Sequence, residues 1–185
     1  MHIHWAVRPG RAIRDFAILA AALALPASVA TFATAPPAAA TIITIGDVET
    51  LSRAADCILE AQVVSVRSRW SSAHTQIFTD VDLVVSTVHA GTCVTGPRRL
   101  SLLGGAVGDT ALVLSSSPGY SVGERVLLFL DERPGLYVPT VGMDAGKWSL
   151  EQGAAGQPAV WSNRRFGRFE PASLLTTIRQ ARERR

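Results

Sequence analysis

A run of five consecutive apolar residues, from Val126 to Leu130, most constrains the fold of this chain. Gly123 lies before the run, and a turn containing Asp131, Pro134 and Gly135 follows it. Because side chains of a strand point alternately to its two faces, a short unbroken apolar run predicts a strand buried on both faces. Such a strand needs neighbours, and shorter β-like runs precede and follow it. We therefore predict one closed or nearly closed antiparallel β-sheet domain.

The neighbouring segments support a mainly β fold. In the first predicted strand, over residues 58–70, the apolar pattern slips by one residue between Val63 and Val64, which predicts a bulge. The second, over 77–88, alternates cleanly, with Asp80 and Asp82 on its polar face. Further short runs occupy residues 100–103, 110–114, 136–141 and 147–150. Several short strands with almost no helix between them predict an all-β fold closed into a small antiparallel barrel.

Two short helices flank the predicted barrel. Asp47 is placed to cap a helix that ends near residue 55. After Pro171, the apolar residues Leu174, Leu175, Ile178 and Ala181 share one face of a C-terminal amphipathic helix. The predicted organisation is a leader over 1–40, the barrel over 41–151, a Gly/Ala/Pro-containing linker over 152–170 and a basic C-terminal helix over 171–185.

The first forty residues have the pattern of a secretory signal peptide. Three arginines precede an apolar run over residues 16–25, and small residues end the segment at Ala38, Ala39 and Ala40. We expect cleavage before Thr41 and a secreted or periplasmic product with no membrane span. An uncleaved anchor is the alternative, although the apolar run is about half of the ~20 residues that a spanning helix needs.

Charge is distributed unevenly after the leader. Residues 41–163 carry 8 basic and 12 acidic groups, whereas residues 164–185 carry 7 basic and 2 acidic groups. The basic tail offers Arg179, Arg182, Arg184 and Arg185 as contacts for a partner; an ordinary solvated helix face is the alternative. Because the body of the domain is acidic, its composition does not favour nucleic acid as the partner.

The two cysteines, Cys57 and Cys93, both follow the predicted leader. In an exported chain, two cysteines most often form one disulfide. Folding the two long predicted strands into a hairpin brings the cysteines together, since Cys57 starts one strand and Cys93 follows the other. Two buried free thiols or a metal-binding or reactive pair are the alternatives.

The remaining polar residues do not form a recognised catalytic motif. His74 and His89 lack the spacing of a metalloprotease zinc motif, and the Gly104–Gly105 and Gly108 cluster lacks the ending of a phosphate-binding loop. We therefore predict no catalytic, metal-binding or cofactor-binding residue. One enzymatic alternative is a small hydrolase in which Asp80 and Asp82 act with one of the two histidines.

Several short motifs resemble those of a family of exported bacterial proteins. They are residues 55–58 (ADCI), 77–81 (IFTDV), 104–105 (GG), 118–120 (PGY), 123–130 (GERVLLFL), 141–142 (VG) and 146–148 (GKW). The resemblance implies an OB-like barrel similar to the N-terminal domain of tissue inhibitors of metalloproteinases, and an association with exported matrixin-like proteases. Those inhibitors chelate zinc through a cysteine at the mature N-terminus. Because Cys57 lies sixteen residues after Thr41, the resemblance does not imply that mode of inhibition here.

These observations predict an exported, non-enzymatic binding module with a protein partner, for which a secreted protease is one candidate. The hydrolase described above is one alternative, and a structural protein of the cell envelope is another. The three hypotheses differ in what they require. The first needs an exposed contact surface, the second needs Asp80, Asp82 and a histidine in one pocket, and the third predicts retention at the cell surface.

Overall fold

The computed structural model describes residues 46–153 and 157–184, which belong to one compact unit. The expected signal peptide, its cleavage before Thr41 and the last tail arginine, Arg185, lie outside the described residues. Within these ranges, no helix is both long and apolar enough to cross a membrane.

Nine strands and two α-helices make up the described part of the chain. The strands are β1 (Cys57–Trp70), β2 (Ile77–Ala90), β3 (Gly96–Leu103), β4 (Gly105–Val107), β5 (Thr110–Leu112), β6 (Arg125–Leu130), β7 (Lys147–Glu151), β8 (Val160–Asn163) and β9 (Gly167–Phe169). The helices are α1 (Val48–Ala54) and α2 (Pro171–Glu183), with a 3₁₀ turn at Met143–Gly146. Seven strands form an antiparallel sheet in the order β3-β2-β1-β6-β7-β8-β9, and β4 and β5 form a separate hairpin.

The predicted closed barrel is not found among the described residues, because the seven-stranded sheet has two free edges, β3 and β9. The predicted strand over residues 136–141 is reduced to an isolated bridge between Thr140 and Leu130. This segment links β3 to the end of β6 by a few isolated hydrogen bonds. The Leu103 amide donates to the Tyr137 carbonyl at 2.7 Å on one side, and on the other the Asp131 amide donates to the Pro139 carbonyl at 2.8 Å and the Val141 amide to the Phe129 carbonyl at 2.9 Å. Pro139 has no amide proton, so a regular ladder cannot continue through it.

Strand β6 is buried on both of its faces, as its sequence predicts. All five residues from Val126 to Leu130 are fully buried. Leu127 and Phe129 point into a core that includes residues of α1 and α2, whereas Val126, Leu128 and Leu130 point into a second core with β1, β2 and β3. The central strands therefore separate two apolar layers, each closed by a different part of the chain.

The predicted bulge in β1 is confirmed. The pairing of β1 with β2 shifts register between Val63 and Ser65, so that Val63 remains buried while Val64 is 48 % exposed. A bulge increases the local twist and bends the strand. Beyond it, Val66 and Val81 still pack in the second core, while Arg67, Arg69 and Asp80 place polar groups on the other face.

The two helices pack on the same side of the sheet. The Asp47 carboxylate accepts a hydrogen bond from the Thr50 amide at 2.6 Å and caps α1. In α2, which begins at Pro171, the side chains of Leu174 and Ile178 are buried in the first core. The contact between α1 and α2 is reinforced by Arg182, which donates to the Ala55 carbonyl at 2.7 Å.

The segment before α2 differs from the predicted linker over 152–170. Strands β8 and β9 lie in this range and continue the main sheet beside β7. Trp161 in β8 is buried in the first core, and the buried Asn163 amide donates to the carbonyls of Asp144 and Lys147 at 3.0 and 2.9 Å. Both strands are too short for an alternating pattern to show in the sequence, which explains why the composition suggested a linker.

Candidate functional site

The polar face of the β1–β2–β3 region is crossed by ion pairs. The Asp82 carboxylate accepts hydrogen bonds from Arg99 at 2.6 Å, from Ser65 at 2.7 Å and from Arg67 at 3.0 Å. These donors lie on strands β3 and β1, on either side of β2. The Arg99 and Ser65 hydrogen bonds, together with Arg67, hold the pKa of Asp82 well below its usual range.

Asp80 has an equivalent position two residues earlier on β2. Its carboxylate accepts from Arg69 at 2.7 Å and from Ser101 at 2.8 Å. The Arg69 hydrogen bond is the main cause that lowers the pKa of Asp80. A carboxylate held ionised by arginines is a poor proton donor or acceptor near neutral pH. Both aspartates therefore act as cross-strand links in this sheet.

The histidines do not converge with the aspartates. His74 lies in the turn between β1 and β2 and stacks on Trp70, with the ring centroids 6.3 Å apart. His89 lies near the other end of β2, about 23 Å from Asp82 by strand rise. Among the described residues, no group of three or more His, Cys, Asp or Glu side chains is arranged to hold a metal ion. Neither histidine is hydrogen bonded to Asp80 or Asp82 in the part of the chain that the structure describes.

The predicted disulfide between Cys57 and Cys93 is confirmed, with the two Cα atoms 6.0 Å apart. It joins the first residue of β1 to the turn between β2 and β3. Cys57 is fully buried in the second core, whereas Cys93 packs at the edge of that core. The disulfide consequently fixes one end of the long β1–β2 hairpin.

The structure places Arg179 and Arg182 of the basic tail on α2 and Arg184 directly after it, and the three arginines differ in their surroundings. Arg182 donates to the carbonyls of Ser52 and Ala55, and Arg184 lies 3.4 Å from the Glu49 carboxylate. These two arginines bind α1 within the same domain. Arg179 is exposed and forms no ion pair with another described residue.

A mostly apolar groove lies beside the β4–β5 hairpin, and we call it the hairpin groove. Its volume is about 380 Å³. Residues from four parts of the chain line it: β1, β2, the end of β3 together with the hairpin, and the loop before β6. The main apolar contributors are Val66, Leu102, Leu112, Val113, Leu114 and Tyr120. Val113 is 86 % exposed, so one wall of the groove is open to solvent.

Glycine at position 105 allows the hairpin to sit at this place. Gly105 has φ of +125°, and a Cβ atom there would lie 2.3 Å from the Thr79 hydroxyl oxygen. The same hydroxyl donates to the Gly104 carbonyl at 2.7 Å and holds the start of the hairpin against β2. The sequence shows the glycine cluster, but it does not show that the cluster forms a wall of a groove.

An ionic cluster supports the Tyr120 side of the groove. The Lys147 ammonium lies 5.4 Å from the centre of the Tyr120 ring and is hydrogen bonded to the Glu124 carboxylate. Ser149 also donates to Glu124, at 2.5 Å. Burial raises the pKa of Glu124, but the hydrogen bonds from Lys147 and Ser149 outweigh this effect, so the net pKa is lowered.

The Tyr120 hydroxyl is itself buried and has no hydrogen-bond partner among the described residues. Burial raises the pKa of Tyr120 well above its ordinary value, so the hydroxyl is neutral at physiological pH. The sequence does not show the ionic neighbours of Tyr120. Glu124 and Lys147 are 23 residues apart in the chain, and their only sequence signal is that Lys147 is the single lysine.

Comparisons with protein-family models, curated proteins and solved structures give no match. The function must therefore be inferred from the geometry and chemistry of the described residues.

Proposed function

We propose that this chain is an exported binding module that recognises a protein partner through the hairpin groove. The observation that carries the proposal is an open, preformed and mostly apolar groove of about 380 Å³ on a disulfide-linked sheet. Pockets of this size and composition are typical of binding sites, and the energy of a protein interface is concentrated where a large side chain fills such a pocket.

The charge pattern of the other surfaces favours the groove as the contact site. On the outer face of β1–β3, Asp80 and Asp82 already bind arginines of neighbouring strands. On the opposite side, α1 and α2 cover the first core. A partner at the groove would bury exposed apolar surface, including Val113, without breaking an ion pair.

Export is supported by two independent features. The leader has the organisation of a signal peptide, and a disulfide such as Cys57–Cys93 is typical of proteins outside the reducing cytosol. We include both the signal peptide and a secreted or periplasmic location in the proposal.

Two finer parts of the proposal rest on the resemblance. An OB-like fold is supported by the β1–β2–β3 meander, with β6 beside β1 and the Tyr137–Leu103 hydrogen bond across the open side. A secreted protease as the partner is supported by the resemblance alone. No observation among the described residues favours the hydrolase or the envelope-protein alternative over the binding module.

The test compares two exposed valines that differ in position. Val113→Asp introduces a charge into the groove, whereas Val94→Asp introduces the same charge at a residue that is 76 % exposed and lies outside the groove lining. The full chain is exported from a host, immobilised and exposed to the secreted proteins of its own organism. Any protein retained by the wild type is then purified and its dissociation constant is measured.

We expect Val113→Asp to weaken binding of that purified protein by at least tenfold, while Val94→Asp leaves it unchanged. Equal melting temperatures of the three proteins would show that the fold is retained. The proposal fails if no secreted protein is retained, or if both substitutions change the affinity equally.

A further inference from the structure

A second cavity lies between α2 and the end of β2, with a volume of about 370 Å³. It shares no lining residue with the hairpin groove. Its apolar part is formed by Val88, Leu175 and Ile178, and its polar part includes Arg179 and Arg182. Two guanidinium groups one helical turn apart thus border the same apolar cavity.

Arg182 is held in position by α1. One of its terminal nitrogens donates to the Ala55 carbonyl at 2.7 Å and to the Ser52 carbonyl at 3.2 Å. Guanidinium has five N–H donors in a fixed plane, and none of the others is bonded to a described residue. Because one end of the guanidinium is already held in place, less side-chain conformational entropy is lost when a ligand binds the other end.

Arg179 is the second cationic group at the cavity. It is exposed and forms no ion pair with another described residue, so its charge is available. Guanidinium pairs with a carboxylate through two parallel hydrogen bonds, which are stronger than bonds between neutral groups. The cavity therefore combines an available cation with a preoriented one.

Ion pairs beside the cavity limit its net charge. His89 lines the cavity and donates through Nε2 to Glu60 at 2.8 Å, and Glu60 lies 3.5 Å from Arg125. The His89 hydrogen bond is the main cause that lowers the pKa of Glu60, which keeps it a carboxylate. The negative charge of Glu60 is compensated by these neighbours. Of the groups that line the cavity, Arg179 and Arg182 are cationic and Glu183 is anionic, so the net charge of the lining is small and positive.

We propose that this cavity binds a monoanionic carboxylate that carries a small branched or linear apolar group. The carboxylate binds Arg179 and Arg182, and the apolar group packs on Leu175, Ile178 and Val88. A small positive excess suits a single negative charge better than a phosphate dianion, and the apolar floor favours a ligand with a hydrocarbon body. The site is independent of the hairpin groove and of the partner proposed for it.

Two sources present this chemistry, namely a free short-chain acid and the C-terminal carboxylate of a peptide with an apolar last residue. The full exported chain, labelled with ¹⁵N, is titrated with four compounds. Hexanoate represents the free acid, N-acetylleucine represents the peptide terminus, and hexanamide and N-acetylleucine amide are their uncharged counterparts. Amide resonances of residues 175–183 report binding.

We expect at least one of the two acids to shift these resonances in a saturable manner and its amide to bind at least tenfold more weakly. The acid that binds more tightly identifies the source. Arg179→Gln should weaken binding of that acid about tenfold, because it removes one charge-assisted interaction from an exposed residue.

Arg184→Gln is the matched control, because Arg184 directly follows the same helix and is exposed but does not line the cavity. It should leave the dissociation constant within twofold of the wild type. The proposal is overturned if neither acid shifts the α2 resonances, if the amides bind as tightly as the acids, or if the two arginine substitutions have the same effect. None of these results depends on whether Val113→Asp affects the protein partner.

Discussion

Gly91 packs directly against the backbone of Asp56, so closely that a Cβ atom at Gly91 would lie 1.9 Å from the Asp56 carbonyl oxygen. Gly91 also has φ of +90°, a conformation that other residues rarely adopt. This contact lies where the chain enters β1 and leaves β2, next to the disulfide. One glycine therefore permits the close approach of the two ends of the longest hairpin in the sheet.

We predict that Gly91→Ala lowers the free energy of unfolding by about 2–4 kcal/mol, since the added methyl group must displace backbone and the left-handed conformation is strained. Gly123→Ala is the matched control. Its φ of +86° is similar, but no atom lies within 4 Å of a Cβ there, so it should cost only about 1 kcal/mol. Urea unfolding measures both values. Equal losses for the two variants would contradict the role of the contact with Asp56.

Reduction of the Cys57–Cys93 disulfide should destabilise the domain. The two cysteines are 36 residues apart, and closing a loop of that length stabilises a fold by about 4 kcal/mol in the chain-entropy model. We expect the urea midpoint to fall when the wild type is reduced. The Cys57→Ala/Cys93→Ala double variant should have a low midpoint with and without reductant. A midpoint of the wild type that does not respond to complete reduction would refute this prediction.

The ion pairs of Asp82 should make stability depend on pH. Since the pKa of Asp82 is lower in the folded protein than in the unfolded chain, its carboxylate stabilises the fold above the unfolded pKa of about 4. This stabilisation is lost as the pH falls from about 4 towards the folded pKa. We expect Asp82→Asn to be less stable than the wild type at pH 7, with a difference that shrinks below pH 4.

The control for this prediction is Asp109→Asn, because Asp109 is exposed and has no ion-pair partner among the described residues. Urea midpoints at pH 7, 4, 3 and 2 for the wild type and both variants give the comparison. The wild-type protein and Asp109→Asn should lose stability in parallel on acidification. A constant difference between Asp82→Asn and the wild type over the whole range would show that the charge of Asp82 contributes nothing.

Structural features that follow from a local residue pattern could be predicted from the sequence. The unbroken apolar run from Val126 to Leu130 requires burial on both faces, and the slip after Val63 requires a bulge; both features are observed. The pairing of Cys57 with Cys93 followed from their places at the ends of a predicted hairpin. These predictions depend on local patterns, or on contacts between neighbouring strands.

Features that depend on contacts between distant segments were not predictable. Barrel closure requires the segment around Pro139 to form a ladder with two strands at once. Strand propensity cannot show that it makes only a few isolated hydrogen bonds, one to β3 and two at the end of β6. The two candidate sites are further examples. The hairpin groove is lined by residues from Val66 to Tyr120, and the cavity between α2 and the end of β2 is lined by residues as far apart as His89 and Arg179. Neither set forms a motif along the chain.

The final prediction concerns the ion pair between Glu124 and Lys147, whose side chains are only 17 % and 13 % exposed. Glu124→Gln leaves the Lys147 ammonium largely buried beside Tyr120 without its counterion, so we expect the free energy of unfolding to fall by about 2 kcal/mol. Replacing both residues, as in Glu124→Gln/Lys147→Met, removes the uncompensated charge and should recover part of this loss.

A double-mutant cycle by urea unfolding isolates the coupling between the two side chains. Glu132→Gln is the matched control for the carboxylate, because the Glu132 side chain is 38 % exposed and its partner Arg98 lies on the sheet edge, so its loss should cost less than about 1 kcal/mol. If the loss of unfolding free energy in the double variant equals the sum of the losses in Glu124→Gln and Lys147→Met, the two side chains are not coupled. In that case the Tyr120 side of the hairpin groove is held by packing alone.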